Sequence, residues 1–422
     1  MVANDTKEVK EGSIAGSLIT WQMLEQDMQK AFGTTAITGP KRDGNMMADG
    51  NGFLSNIALV KFDWTHDTDI LPERAVLKIT ACEKLYDMAQ DLPNFKPDEV
   101  WGNCKAVNDN ELSFYQNCEK VWKLPKELMV AKFYCGREFG LDGVDAGYFA
   151  IEFFDKAESR HFYNNVQESS VKEILDQLVL INTHSLKRPE LFENYTNEHY
   201  INMMSSFCTE ESVTKSIEEC LEKHPDLEQE LLAMQKMAKY FETFTNFDAK
   251  MAESCNNMRM FCHGDMWLGN MLWQKDAKGD YRMKRLIDWQ LHRWGTPMED
   301  LARLLTSAFS ADEYQNRKQI YLQYYYDAFY KADERRPHAL EILSRRLFDF
   351  SEPIFSLKFE ENYERGFALC STAFGPVFLC MTHKILDTIK DEKDKIDGPQ
   401  NYKDKVYNMV REAARLAKKW NM

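Results

Sequence analysis

The chain lacks any run of apolar residues approaching the ~18 that a membrane-spanning helix needs. Its opening stretch, Met1 to Glu11, is charged where a secretory leader would be apolar. No C-x-x-C pair occurs among its 10 scattered cysteines. That spacing excludes a cysteine zinc site and a small disulfide scaffold, and the thiols read as reduced, small core residues. Basic charge is also short: 53 Lys and Arg face 67 Asp and Glu, a formal net charge of −14. Without a local basic patch, non-specific attachment to nucleic acid or anionic membrane is excluded. There is no internal repeat and no low-complexity linker. These absences set the expectation of a cytoplasmic protein with neither a nucleic-acid nor a membrane partner; the oligomeric state is not legible.

What remains is an ordinary globular composition, 422 residues with 44% hydrophobic and 28% charged side chains, enough for two domains or lobes. The first part, to about 155, reads as mixed strand and helix. A helix is expected from Trp21 to Phe32, capped by Thr20. The turn-rich Asp49-Gly50-Asn51-Gly52 suits a tight hairpin. Strands follow at Phe53 to Trp64, Ala75 to Ile79, Met129 to Tyr134 and Tyr148 to Phe154. Between them, Glu111, Phe114, Tyr115 and Cys118 recur at helical spacing, with Glu111 at the edge of the apolar face. From about 156 to 422 the periodicity is helical almost throughout, starting with a Ser170/Glu173 capping box and continuing at Leu227 to Phe241, Asp312 to Tyr330, His338 to Phe348 and Tyr402 to Trp420. The exception is Met258 to Trp294, where short apolar runs alternate with turns.

That exception holds the strongest chemical signal, His263-Gly264-Asp265 with Asn270 five residues past the Asp, then Asp288 in Ile287-Asp288-Trp289. Composition alone gives H-G-D-x4-N on the order of 10⁻³ times in a chain of this length. An Asp that orients a hydroxyl nucleophile, with an Asn and a second Asp holding Mg²⁺, is the polar set that phosphoryl transfer from ATP requires. The bland alternative is a turn between strands. Lys78, on an otherwise apolar strand, is costly to bury unpaired, and Glu111 is the expected carboxylate partner. Gly52 and Ser55 would bring backbone N–H groups and a hydroxyl over the phosphates, although the same residues make any hairpin. Glu152 and Phe154, ending the last strand of the first part, would offer backbone groups to adenine. His184 and the aromatics Tyr324, Tyr325, Tyr326, Phe329 and Tyr330 read as core. Asp300 and Arg303, three apart on a helix, read as a structural ion pair.

The runs F-C-H-G-D-M-W-L-G-N-M-L-W, R-L-I-D-W-Q and E-D-L-A-R-L-L resemble the choline-kinase-like and ecdysteroid-kinase-like proteins, relatives of aminoglycoside phosphotransferases. G-N-G-F-L-S-N-I-A-L-V, A-V-L-K-I and N-E-L-S-F-Y look like the amino-terminal half of an invertebrate branch of that group. The resemblance, over roughly 45 to 420, implies an α+β, protein-kinase-like fold: a small antiparallel-sheet lobe over 1–155, a larger helical lobe over 156–422, and ATP in the cleft between them. It implies Asp265 as catalytic Asp, Asn270 and Asp288 as metal ligands, Lys78 and Glu111 as the phosphate-positioning pair, and His263 as support for the loop. Asp-Trp-Gln in place of Asp-Phe-Gly, and no activation-loop end motif, favour a small hydroxylated substrate over a protein. A ring-bearing alcohol such as a steroid or glycoside is expected, with Trp267, Trp289, Trp294 and Phe309 as candidate lining. The alternatives are a choline or ethanolamine kinase, or a pseudokinase that binds nucleotide without turnover.

Overall fold

Alternation of apolar and polar side chains builds the main sheet of the computed structural model, which describes residues 12–51, 55–83, 86, 99–254, 259–333 and 357–422. The chain divides into two compact units. Among the described residues, the first unit holds those up to 116 together with 131–155, and the second those of 117–130 and from 156 onward. The segment 117–130, read from sequence as part of the first lobe, therefore belongs to the second. Long-range contacts decide it: Leu286 donates its N–H to the Met129 carbonyl, Met129 donates to the Gln177 side chain, and Trp122 packs on Phe192 and Phe261.

The first unit is an antiparallel sheet in the order β1-β2-β3-β5-β4. Its strands are β1 (Asp43–Asn51), β2 (Ser55–Lys61), β3 (Arg74–Ala81), β4 (Phe133–Arg137) and β5 (Ala146–Glu152). Strand β1 escapes a search for apolar alternation because Asp-Gly-Asn-Met-Met-Ala-Asp-Gly-Asn has none; its pairing with β2 defines it. On β3, Ala75, Leu77 and Ile79 are fully buried in a core shared with Leu24 and Met28 of the helix Trp21–Phe32. With a side-chain period of two, Lys78 falls on the opposite face. Thr20 caps that helix as expected, accepting from the Met23 N–H at 3.3 Å. The α+β organisation expected from the sequence is the one found, an antiparallel sheet unit and a mainly helical unit.

In the second unit, long helices (Glu168–Lys187, Pro297–Ala308, Ala311–Asp333, Leu357–Cys380, Glu392–Lys419) accompany two short antiparallel ribbons, β6 (Met260–Cys262) with β9 (Arg293–Gly295) and β7 (Met271–Lys275) with β8 (Tyr281–Leu286). The ribbons nest, so the connections β6 to β7 and β8 to β9 are the two loops carrying the sequence motif. The Ser170/Glu173 capping box is not formed. The helix starts earlier, at Glu168, which leaves Ser170 buried and donating to the Tyr281 carbonyl while Glu173 pairs with Arg282. The expected helix His338 to Phe348 lies outside the described residues. Among them, no helix is long and apolar enough to cross a membrane.

A buried ion cluster closes the first unit. Arg137, 7% exposed, donates to both Asp27 oxygens at 3.0 and 3.1 Å, and the Tyr148 hydroxyl donates to Asp27 at 2.6 Å. Removing one member of such a pair strands the other. Arg137→Met is expected to lower the unfolding free energy by about 3 kcal/mol in urea titrations; a loss under about 0.5 kcal/mol, the range of an ordinary surface change, would show the cluster to be incidental.

Candidate active site

In the first unit, β3 and the helix Val100–Asn117 bring together the two residues that the sequence paired. Lys78 Nζ lies 2.6 Å from Glu111 Oε2, with side chains 11% and 2% exposed. At that burial neither charge is well solvated, and removing one partner would leave the other uncompensated. Ser55 is fully buried and its hydroxyl lies 3.3 Å from that of Thr80, its register partner on β3. Its hydroxyl is thus engaged inside the sheet instead of being presented on a turn. Gly52 lies outside the described residues. Glu152 ends β5, donating its N–H to the Lys132 carbonyl and accepting the Lys132 N–H on its side chain. Phe154 follows it, partly buried, just before the unit boundary.

In the second unit, the loop from β6 to β7 is fixed through its backbone. Asp300, in the first turn of the helix Pro297–Ala308, accepts the N–H of His263 at 3.0 Å and of Gly264 at 2.8 Å. His263 Nδ1 accepts the Asp265 N–H at 3.3 Å, so the ring proton is on Nε2, facing the Ile287 carbonyl at 3.0 Å. One imidazole thereby ties the Asp265 loop to the Asp288 loop. Gly264 has φ +85°, and a Cβ there would meet the Leu291 carbonyl oxygen at 2.0 Å. No other residue fits this position. The loop ends in Asn270, whose Nδ2 donates to the Asp265 carbonyl at 2.9 Å and to Asp265 Oδ2 at 2.8 Å.

With Nδ2 committed to Asp265, the amide oxygen of Asn270 is the atom left for a cation. Asp288, the second candidate oxygen donor, has a strained backbone, φ 63° and ψ 58°, a left-handed conformation that costs a non-glycine residue free energy and concentrates at functional sites. An Asn and an Asp oxygen are hard donors. They fit Mg²⁺, which takes few protein ligands and completes its shell with water and nucleotide phosphates. Among the described residues there is no group of three or more His, Cys, Asp or Glu placed to hold a metal.

The remaining Asp265 oxygen, Oδ1, accepts from Arg303 Nη1 at 2.8 Å. Arg303 also reaches Glu299 at 3.0 Å, and Glu299 in turn pairs with Arg293, both about fully buried. Burial pushes the Asp265 carboxyl up from its ordinary value; Arg303 opposes this and Asp288 adds to it. Burial also drives Asp300 up, to about 7, against the pull of Arg293.

Residues 10–358 match the DUF1679 family, described as "Uncharacterized oxidoreductase dhs-27". The chain belongs to this family. It is 22% identical over 286 residues to the "Uncharacterized oxidoreductase dhs-27" of Caenorhabditis elegans, covering 66% of this chain and 34% of that protein. The chain thus spans about a third of the length of the curated relative it matches. Among solved structures, it is similar to a putative aminoglycoside phosphotransferase from Ralstonia eutropha (10% identity, TM-score 0.44, covering 94% of this chain and 97% of that one). A second is the Plasmodium vivax ethanolamine kinase (13% identity, TM-score 0.39, 90% and 84% covered).

Three features of this DUF1679 member correct or extend the sequence reading. Asp300 and Arg303 do not pair with each other: Asp300 takes the loop backbone and Arg303 takes Glu299 and Asp265. A polar face on a helix whose neighbours are all buried was the available signal, since a solvated ion pair has no place there. Of the candidate lining residues, Trp289 and Phe309 are core: Trp289 lies tilted against His263 and Phe309 stacks on Tyr321, with ring centroids 4.4 Å apart in each case. Trp267 and Trp294 are only partly buried, and Trp294 packs on Phe192. His184, read from sequence as core, is half-buried, with a ring nitrogen 2.8 Å from the Trp122 carbonyl. Of the aromatic run, Tyr325, Tyr326 and Phe329 are buried, whereas Tyr330 is exposed.

Asp300→Ala leaves two buried N–H groups without an acceptor and is expected to cost about 2 kcal/mol or more of stability in urea titrations. Gly264→Ala should be at least as damaging. If both variants match the parent within about 0.5 kcal/mol, the loop is not held in this way.

Proposed function

We propose that the chain is an ATP-dependent, Mg²⁺-dependent phosphotransferase acting on a hydroxyl of a small molecule. The observation that carries this is the carboxylate of Asp265, oriented by Asn270 on one oxygen and Arg303 on the other, on a loop tied through His263 to Asp288. In this reading the acceptor hydroxyl donates to Asp265, its oxygen forms a bond to the γ-phosphorus, and the bond to the β-bridging oxygen breaks, releasing ADP. The hydroxyl proton leaves towards Asp265. Asn270 and Asp288 would hold the magnesium ion, which supplies charge neutralisation at the phosphates. Lys78, oriented by Glu111, would pair with the α- and β-phosphates, and the strand end at Glu152 to Phe154 would receive the adenine.

The name of the nematode relative suggests a different chemistry, but it belongs to a protein of which this chain spans about a third. A dinucleotide-dependent oxidoreductase would need a parallel βαβ unit with a glycine-rich turn before a helix. Every pair of strands in the described sheets is antiparallel, which supports phosphoryl transfer for this segment. The acceptor proposed is a ring-bearing alcohol; a choline or ethanolamine acceptor, or nucleotide binding without turnover, are the other readings.

Asp265→Asn should lower kcat by at least ~10²-fold while Mg·ATP still binds, because the carboxylate acts on the acceptor. Near-parental turnover would remove Asp265 from the mechanism. Asp288→Ala should abolish Mg²⁺-dependent nucleotide binding in calorimetry, with Asn270→Ala a milder version; unchanged Mg·ATP affinity in Asp288→Ala would contradict the metal assignment.

Lys78→Met and Glu111→Ala should each weaken ATP positioning and turnover, Lys78 more. The double variant should lose little beyond Lys78→Met alone, and strictly additive losses would show that the residues do not act together.

A further inference from the structure

Arg303, which holds one oxygen of Asp265, also brings a fixed positive charge to that carboxylate. Its guanidinium donates to Asp265 Oδ1 at 2.8 Å and to Glu299 at 3.0 Å, and it lies 3.8 Å from the centroid of the Phe374 ring. The side chain is 10% exposed. Two carboxylates and an aromatic face hold one planar cation, so it has no freedom to swing away from Asp265. Both oxygens of the carboxylate that receives the acceptor hydroxyl are engaged by donors, one of them formally charged.

Resting on the phosphotransferase reading above, we infer that Arg303 is a positioning and specificity-determining residue that fixes Asp265 and tunes the site for an uncharged acceptor. An uncompensated catalytic carboxylate would attract an amino alcohol, whose cation would add to the binding. Here a guanidinium is already fixed against one oxygen of that carboxylate. In choline or ethanolamine the nitrogen is only two carbons from the hydroxyl. A hydroxyl bonded to Asp265 therefore brings that cation beside the guanidinium already on the same carboxylate, and like charges in a partly desolvated site repel. An uncharged alcohol meets no such penalty. Phe374 is itself partly exposed, so the surroundings of the pair include an apolar ring. The acceptor class that fits is a neutral alcohol with an apolar or ring-bearing body.

The test measures ADP release by the full chain with Mg·ATP, using water alone, choline, ethanolamine, myo-inositol, octyl glucoside and a hydroxysterol as acceptors. Nucleotide affinity is measured in parallel by calorimetry. The parent is expected to use at least one uncharged acceptor, water included, with neither cation raising ADP release. Arg303→Gln, checked for folding by thermal melting, should keep Mg·ATP affinity within ~2-fold, lose at least ~10-fold in kcat on uncharged acceptors, and raise the rate on choline relative to them by ~10-fold or more. Preferred use of choline or ethanolamine by the parent would overturn the inference while leaving phosphotransfer standing, and it needs no variant. A kcat loss in Arg303→Gln with an unchanged choline ratio would reduce Arg303 to a structural role and also overturn it. A parent that binds no Mg·ATP would remove the phosphotransfer reading and this inference with it.

Discussion

The grip of the Asp300 carboxylate on two consecutive backbone N–H groups, those of His263 and Gly264, is the constraint on which the rest of the site depends. It turns the chain at Gly264, where only glycine escapes the Leu291 carbonyl. It also leaves the next residue, Asp265, with its side chain directed at Asn270 and Arg303. A loop held only by its own side chains would wander by more than catalysis tolerates, since reacting groups misplaced by about 1 Å lose orders of magnitude in rate. Backbone anchoring from a buried helix removes that freedom.

The second theme is charge. Asp265, Asp288, Glu299 and Asp300 sit in or beside two short loops and one helix turn, where phosphates of the same sign would have to approach. Arg293 and Arg303 offset part of that density from inside the protein, through Glu299 and Asp265. In the proposed reading, the Asp288 and Asn270 oxygens are where a divalent cation would bind. Arginine spans between buried carboxylates, while Asn270 and Asp288, the metal donors of the proposed reading, lie on the two loops.

Much of this was legible from residue types and spacing. His263, Gly264, Asp265, Asn270 and Asp288 form a local pattern, and local patterns survive without knowledge of the fold. Lys78 and Glu111, 33 positions apart, pair in the sequence reading because a buried lysine needs a carboxylate and a Lys–Glu pair is the expected companion of the Asp/Asn/Asp set, and they are 2.6 Å apart. Less legible was whatever depended on non-local packing. Strand β1 has no apolar alternation and is defined only by its neighbour β2. Segment 117–130 follows a first-unit helix in sequence but bonds to β8. The partners of Asp300 and Arg303 were misread because helical spacing names neighbours on the same helix, whereas both side chains reach another element. Asp288 carried no sequence mark of its positive φ, which arises from the turn between β8 and β9.

Which nucleotide the chain binds tests the central claim most directly. Calorimetric titration of the purified chain with ATP, with and without Mg²⁺, and in parallel with NADH and NADPH, separates phosphoryl transfer from dinucleotide chemistry. Saturable, Mg²⁺-dependent binding of ATP with no heat from either dinucleotide is the result expected. Binding of NADH or NADPH, with none of Mg·ATP, would contradict the account.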